Sequence, residues 1–321
     1  KLNPSGAIWP QYGNHVIDYM QQLEPGSFEK SLKNLLLLQA IHARLQGFPT
    51  SGTALNTFTL LLHLIKPIKP EQAATVSAFF PLRNDPELLG NYHKEARFGE
   101  KDQVEAALEL AKSDASFNVP LSDKSLFKTE IFWLATKGIG ALLLPVAKEA
   151  FHAWQGIASV FYDKDRDISD TATREFLLSE SALKEGRFLE RLGHLVDLSF
   201  RFLQHAAAGG EQALPPPQPG PTWHVLPSSV LENVLELCDV YRDRDRKKTG
   251  GIPTGLFVHM DPDPVLTTLC IVMASEEHVR DPSLRGRAVK LLHRLCFAFR
   301  SWRDRLNQPP LDKHLIPCLV N

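Results

Sequence analysis

Phe127 to Val146 reads FKTEIFWLATKGIGALLLPV, and the spacing within this stretch decides the fold. Ile131, Phe132, Leu134, Ala135, Ile139, Leu142 and Leu143 recur every three or four residues, which a 3.6-residue period gathers on one broad face. Trp133 and Leu144 widen that face until little of the helix is left for water. Ser122 and Asp123 precede it as N-cap candidates, and acidic residues there suit the positive end of the helix dipole. A helix this apolar has to be covered on at least two sides, so the stretch predicts the central layer of a helical stack. Gly138 and Gly140 each lower helix propensity by about 1 kcal/mol, and their presence marks close approach by neighbouring helices.

Upstream of this helix, apolar spacing predicts helices from Ser27 to about Leu45, from Gly52 to Ile65, from Glu71 to Phe80 and from Glu100 to Lys112. Residues 1–14 hold Pro, Gly and Trp without a period and read as irregular. Downstream, Pro145 is expected to kink or end the central helix, with a further helix to about Val160. Residues 162–170, YDKDRDISD, read as an exposed loop. Arg174 to His205 reads as one long helix or a broken pair, with Gly186 and Gly193 as the interruptions. AAAGGEQALPPPQPGP at 206–221 has a linker's composition. Three more helices are expected at Ser228–Tyr241, Pro264–Ala274 and Pro282–Arg305. No segment alternates apolar and polar residues over strand length, so the fold class is all-α, and many helices on short turns suit a helical-repeat stack. The expected organisation is a core part over 1–208, a Gly/Pro-rich linker or loop at 209–221, and the rest of the same core over 222–321.

Composition sets the outer limits. Of the 321 residues 43% are hydrophobic, enough for a sizeable core, and a net charge of −1 gives no argument for nucleic acid or an anionic membrane. Cys238, Cys270, Cys296 and Cys318 lie 22 or more residues apart with no CxxC pair, the pattern of buried free thiols in a reducing compartment. No apolar run in the sequence reaches the roughly 18 residues that span a bilayer. The sequence opens on Lys1 rather than Met and carries no secretory leader, so the expectation is a piece of a longer chain.

The chemistry-bearing residues are scattered. Twelve histidines include no HExxH or Cys–His zinc pattern, and His42, His63, His152, His194 and His293 each fall within a helix, where structural or surface roles are the simpler reading. Asp261 and Asp263 in HMDPDP are flanked by prolines and read as a turn, with Asp263 capping the next helix. DKDRD at 163–167 lacks the glycine and closing glutamate of a calcium loop. RDRDRKK at 242–248 interleaves aspartates with its cations and is a poor nucleic-acid site. There is no phosphate-cradling Gly loop and no GxSxG elbow. The sequence therefore predicts no catalytic residue, no metal ligand and no cofactor.

Four blocks, in order, resemble the core domain of the U-box ubiquitin chain-elongation factors, the E-four type of ubiquitin conjugation factor. GTALNTFTLLLHLIKPI at 52–68 is similar to that family's Leu-Asn step followed by an apolar helix, with Leu55 and Asn56 matching. FKTEIFWLATKGIGALLLPV resembles its Thr-Glu-x-Phe-Phe block through Thr129, Glu130 and Phe132, with Trp133 in place of the second Phe. VLPSSVLENVLELCDVY at 225–241 is similar to its proline-led helix. VRDPSLRGRAVKLL at 279–292 resembles its Asn-Pro-x-Leu-Arg block through Pro282, Leu284 and Arg285, with Asp281, Gly286 and Arg287 departing from it.

The resemblance implies an armadillo-like helical-repeat superhelix, the scaffold core of a polyubiquitinating ligase in ubiquitin–proteasome degradation. It implies a catalytic U-box outside this chain, since none is visible within it, so that this segment is itself non-catalytic. The implied partners are a ubiquitin-conjugating enzyme recruited through that U-box, polyubiquitinated substrates and an AAA segregase ATPase, in the cytoplasm or nucleus, with no nucleic acid and no membrane. The alternative is a helical-repeat interaction scaffold unrelated to ubiquitin. The matched residues also have a physical reading as packing groups: Asp281 N-caps the last helix with Pro282 at its first position, Arg285 and Arg287 reach back to the previous helices, and Glu130 is a buried hydrogen-bonding group.

Overall fold

A computed structural model describes residues 51–80, 96–112, 127–152, 180–208, 214, 218–244 and 255–313. The expected helix at 27–45, the loop at 162–170, Cys318 and most of the linker at 209–217 lie outside the described residues. What is described is mostly helical, and no strand occurs among the described residues; a single antiparallel bridge joins Arg97 to Pro227. The helices are α1 (Ser51–Ile65), α2 (Lys101–Lys112), α3 (Phe127–Gly138), α4 (Gly186–Ala208), α5 (Pro221–His224), α6 (Ser228–Arg244), α7 (Pro262–Ala274), α8 (Pro282–Ala298) and α9 (Arg300–Leu306). Short 3-10 turns cover Pro70–Thr75 and Gly255–His259.

The helix read first from the sequence is central. Ile131, Phe132, Trp133, Leu134 and Ala135 have no exposed surface, because α1, α4 and α6 all pack against α3. Both glycines mark close approach. A Cβ on Gly138 would lie 3.1 Å from the Phe58 ring of α1, and one on Gly140 would lie 2.6 Å from the Asn233 side chain of α6. Pro145 does not end the helix. A π-helical turn at Ile139–Leu143 precedes it, in which Leu144 N–H donates to the Ile139 carbonyl, and the helix runs on through 144–152. The wider turn rearranges the hydrogen-bond ladder where proline supplies no N–H. The helix Lys128–His152 is long and apolar enough, by length and composition alone, to cross a bilayer, which a scan for uninterrupted apolar runs misses. Of its most apolar window 78% is buried inside the protein, as expected of a core helix.

α4 is the second organiser. Its 23 residues pack against α1, α3, α5, α6, α7 and both 3-10 turns. Gly193 does not interrupt it: a Cβ there would lie 2.5 Å from the Cβ of His259, so the glycine lets the Gly255–His259 turn lie directly on the helix. The break falls earlier, at residues 184–185, where Glu185 accepts hydrogen bonds from the N–H groups of Arg187 and Phe188 and caps the new helix.

Three other expectations change. Helix 71–80 is only a 3-10 turn over Pro70–Thr75, because the backbone of Ser77 is engaged instead by Thr129 and Trp133 of α3. The expected helix from Pro282 to Arg305 breaks at Phe299, whose extended backbone turns its ring inward against Phe257 and Trp302. α7 begins at Pro262 and is capped by Asp261, not Asp263: the Asp261 side chain accepts from Asp263 N–H at 3.0 Å. One apolar cluster extends from Ala54 to Leu311 and includes Leu214, which is 2% exposed in the middle of the Gly/Pro-rich segment.

Candidate functional site

The residues that carry the resemblance fall in two places. Leu55 is buried and Asn56 half-buried on α1, and Thr129, Glu130 and Phe132 are buried at the start of α3, the helix that packs on α1. Thr129 Oγ1 accepts from Ser77 N–H at 3.4 Å, and one turn on Trp133 Nε1 donates to Ser77 O at 2.9 Å, so α3 fixes the Ser77 backbone. Phe132 lies 4.9 Å from the ring of Phe202 and 5.6 Å from that of Trp133. Glu130, in the first turn of α3, is 1% exposed, at the end of the helix where the dipole favours negative charge.

Pro282, Leu284 and Arg285 form the first turn of α8. Asp281 caps it by accepting from Ser283 N–H at 2.8 Å, with Pro282 at the first helical position, where a missing N–H costs nothing. Leu284 is buried, and Arg285 Nη2 reaches Glu276 Oε1 at 3.3 Å. Arg287 Nη2 donates to the Glu232 carbonyl of α6 at 3.3 Å. In both places the side chains join helices.

The ionised groups do the same. Arg201 of α4 donates to Asp197 Oδ2 at 2.9 Å and to Asp261 Oδ2 at 2.6 Å, and Arg305 of α9 clasps Asp263 with two hydrogen bonds, the Nη2–Oδ2 one at 2.8 Å. Arg294 of α8 meets Asp239 at 3.0 Å and Asp243 at 3.4 Å on α6. Burial pushes the Asp197 carboxyl above its ordinary range, and the Arg201 hydrogen bond pulls it back only in part. The HMDPDP pair thus holds α4, α7 and α9 together. Sequence reasoning missed both arginine partners, which stand 60 and 42 residues from their aspartates.

A third joint surrounds Trp223. Its ring stacks on Phe98 at 4.7 Å and meets His278 edge-on at 5.4 Å, while its Nε1 donates to His278 O at 2.8 Å. Residues 96–99 run beside α5 through Phe98 N–H to Leu226 O, Gly99 N–H to His224 O and Ser228 N–H to Ala96 O. A Cβ on Gly99 would lie 2.6 Å from that of His224, so only glycine permits this approach. His278 has no exposed surface and its Nδ1 lies 2.8 Å from Ser275 Oγ. Burial lowers the pKa of His278, and burial with nearby Arg280 lowers that of His224, so both rings are neutral at pH 7.

Nothing in these joints gathers the groups of an active site. His63 Nε2 lies 2.5 Å from Arg191 Nη1, His194 Nε2 lies 2.8 Å from Ile68 O, and His152 and His293 are exposed. Burial pushes the Cys296 thiol up to about 11 and the Cys238 thiol higher still, so neither is a thiolate nucleophile. Among the described residues no group of three or more His, Cys, Asp or Glu side chains could hold a metal ion. The arrangement can position and present surfaces.

A family model described as the ubiquitin elongating factor core matches residues 32–321. No curated protein matches the chain. No solved structure matches it either.

Proposed function

The chain belongs to the ubiquitin elongating factor core family, and from that premise we propose that it is the scaffold core of a polyubiquitinating ligase that acts in ubiquitin–proteasome degradation. The observation that carries this reading is the family match over residues 32–321, of which the four sequence blocks are a part. Joints built from packed aromatics, capped helices and arginine clamps support a positioning role, in which a stiff helical body sets the distance between bound substrate and ligase module. In this reading the described helices on both sides of the segment 209–221 follow an armadillo-like superhelical course as one body. A U-box outside these residues recruits the ubiquitin-conjugating enzyme. Polyubiquitinated substrates and an AAA segregase ATPase are the further partners, in the cytoplasm or nucleus. Nothing observed favours the reading unrelated to ubiquitin.

The test is a reaction with activating enzyme, conjugating enzyme and ubiquitin. Residues 1–321 alone give no chain growth; joined to a U-box domain they lengthen chains on a ubiquitin-tagged substrate beyond what the isolated U-box achieves. Growth by residues 1–321 alone would place catalysis inside this chain. A fusion no better than the isolated U-box would remove the scaffold reading.

A further inference from the structure

Among the described residues one face of α8 has no partner. Leu284, Ala288, Leu291, Leu292 and Leu295 are buried, whereas Gly286, Val289, Lys290, His293 and Phe297 recur on the opposite side at helical spacing and are exposed. Phe297 is 82% exposed, in a protein whose other described large aromatics are mostly buried, and Val289 is 39% exposed. The His293 ring lies nearly parallel to that of Phe297, at 6.1 Å between centroids and 16° between planes, so the two form one exposed aromatic surface. Gly286 has open space above it, so the face is smooth at its N-terminal end.

The charge on α8 itself has one sign. α8 contains no acidic residue. Three of its cations are engaged, Arg285 with Glu276, Arg287 with the Glu232 carbonyl and Arg294 with Asp239 and Asp243. Lys290 has no hydrogen bond or ion pair among the described residues. Arg303 of α9 is exposed and lies close enough to Cys296, the neighbour of Phe297, to act on it electrostatically. An apolar stripe beside unneutralised cations complements an anionic partner that carries apolar anchors.

We propose that the outward face of α8, formed by Val289, His293 and Phe297 with Lys290 beside them, docks an acidic, apolar-anchored peptide segment of a partner protein. A second copy of the chain does not suit it: symmetric pairing of this face would bring two Lys290 side chains into one interface with no acidic group on either helix. A nucleic acid does not suit it either, because the free cations are too few to follow a phosphate backbone. The proposal shares with the scaffold reading only the premise that the chain works by binding, and its test involves no ubiquitin.

The probe is a fluorescein-labelled amphipathic peptide of about 16 residues with leucines on one face and glutamates flanking them; the control carries lysines instead of glutamates. Anisotropy is read on the full 321-residue chain. The acidic peptide should bind saturably and more weakly at high salt, and the lysine peptide should not bind. Phe297→Ala should weaken binding by about tenfold or more, as loss of a central aromatic anchor does. Lys290→Glu should weaken it as well, and Phe297→Trp should retain it. Both wild-type residues are exposed, so circular dichroism and thermal melts should be unchanged in all variants. Absence of acidic-peptide binding, equal binding of the lysine peptide, or undiminished binding by Phe297→Ala would overturn the proposal. Concentration-dependent dimerisation lost in Phe297→Ala would overturn it too, by identifying a second copy as the occupant.

Discussion

At the scale of single residues, the informative positions are those where burial or the lack of a side chain is required. His278 is fully buried and its pKa is lowered by that burial, with His224 shifted the same way. The unfolded chain takes up these protons near 6.5 and the folded one only at lower pH, so their stabilisation is complete above 6.5 and is lost as pH falls through the folded values. Thermal melts across that range should show stability falling toward pH 5, and His278→Gln should flatten the slope; an unchanged slope would remove His278 as its source. Two glycines give opposite expectations. Gly193→Ala drives a Cβ into His259 and should cost about 1–3 kcal/mol in urea denaturation, whereas Gly286→Ala, in an exposed helix interior with open space, should gain about 0.5–1 kcal/mol. The sequence shows a glycine inside an apolar helix and hence a close neighbour, as at Gly138 and Gly140. It does not show which neighbour, so Gly193 reads as a break when it is a contact.

At the scale of elements, α3 tests the architecture. Phe132 and Leu143 have no exposed surface, and truncating them to alanine costs about 3–5 and 2–5 kcal/mol respectively. Against a net stability of about 5–15 kcal/mol, the double variant should be largely unfolded or aggregated. Lys148, 44% exposed and paired with Glu236, should tolerate alanine within about 1 kcal/mol. Melting curves of the three proteins check both statements, and a double variant that melts like the parent would make α3 peripheral. Elements whose cause is local were legible: α1, α2 and α6 follow apolar spacing, and α8 starts at an aspartate followed by a proline. Those with a distant cause were not. The tract after Thr75 looks helical until α3 takes the Ser77 backbone, Phe299 looks helical until Phe257 and Trp302 offer its ring a site, and Pro145 looks like a stop until a π turn absorbs it.

At the scale of the whole molecule, a single apolar cluster lies on both sides of the Gly/Pro-rich segment, with Leu214 buried in it. The Gly/Pro-rich composition of 209–217 predicts that protease cuts there, and the shared cluster predicts that the two fragments co-migrate in gel filtration without denaturant; fragments that separate would show that the two sides are independent bodies. The family was legible because four blocks keep their order. The central place of α4 was not, because its partners at residues 51–75 and 255–274 are set by folding rather than by any local pattern. That place has a consequence for how the protein is made. Translation proceeds N-terminus first at about 5–20 residues per second, so α1 leaves the ribosome on the order of ten seconds before the last turn of α4 is synthesised. Throughout that interval Phe58 and Phe132 lack the rings of Phe188 and Phe202 that cover them from α4, so a nascent chain stalled before residue 186 should be held by chaperones, and one released past 208 should let them go.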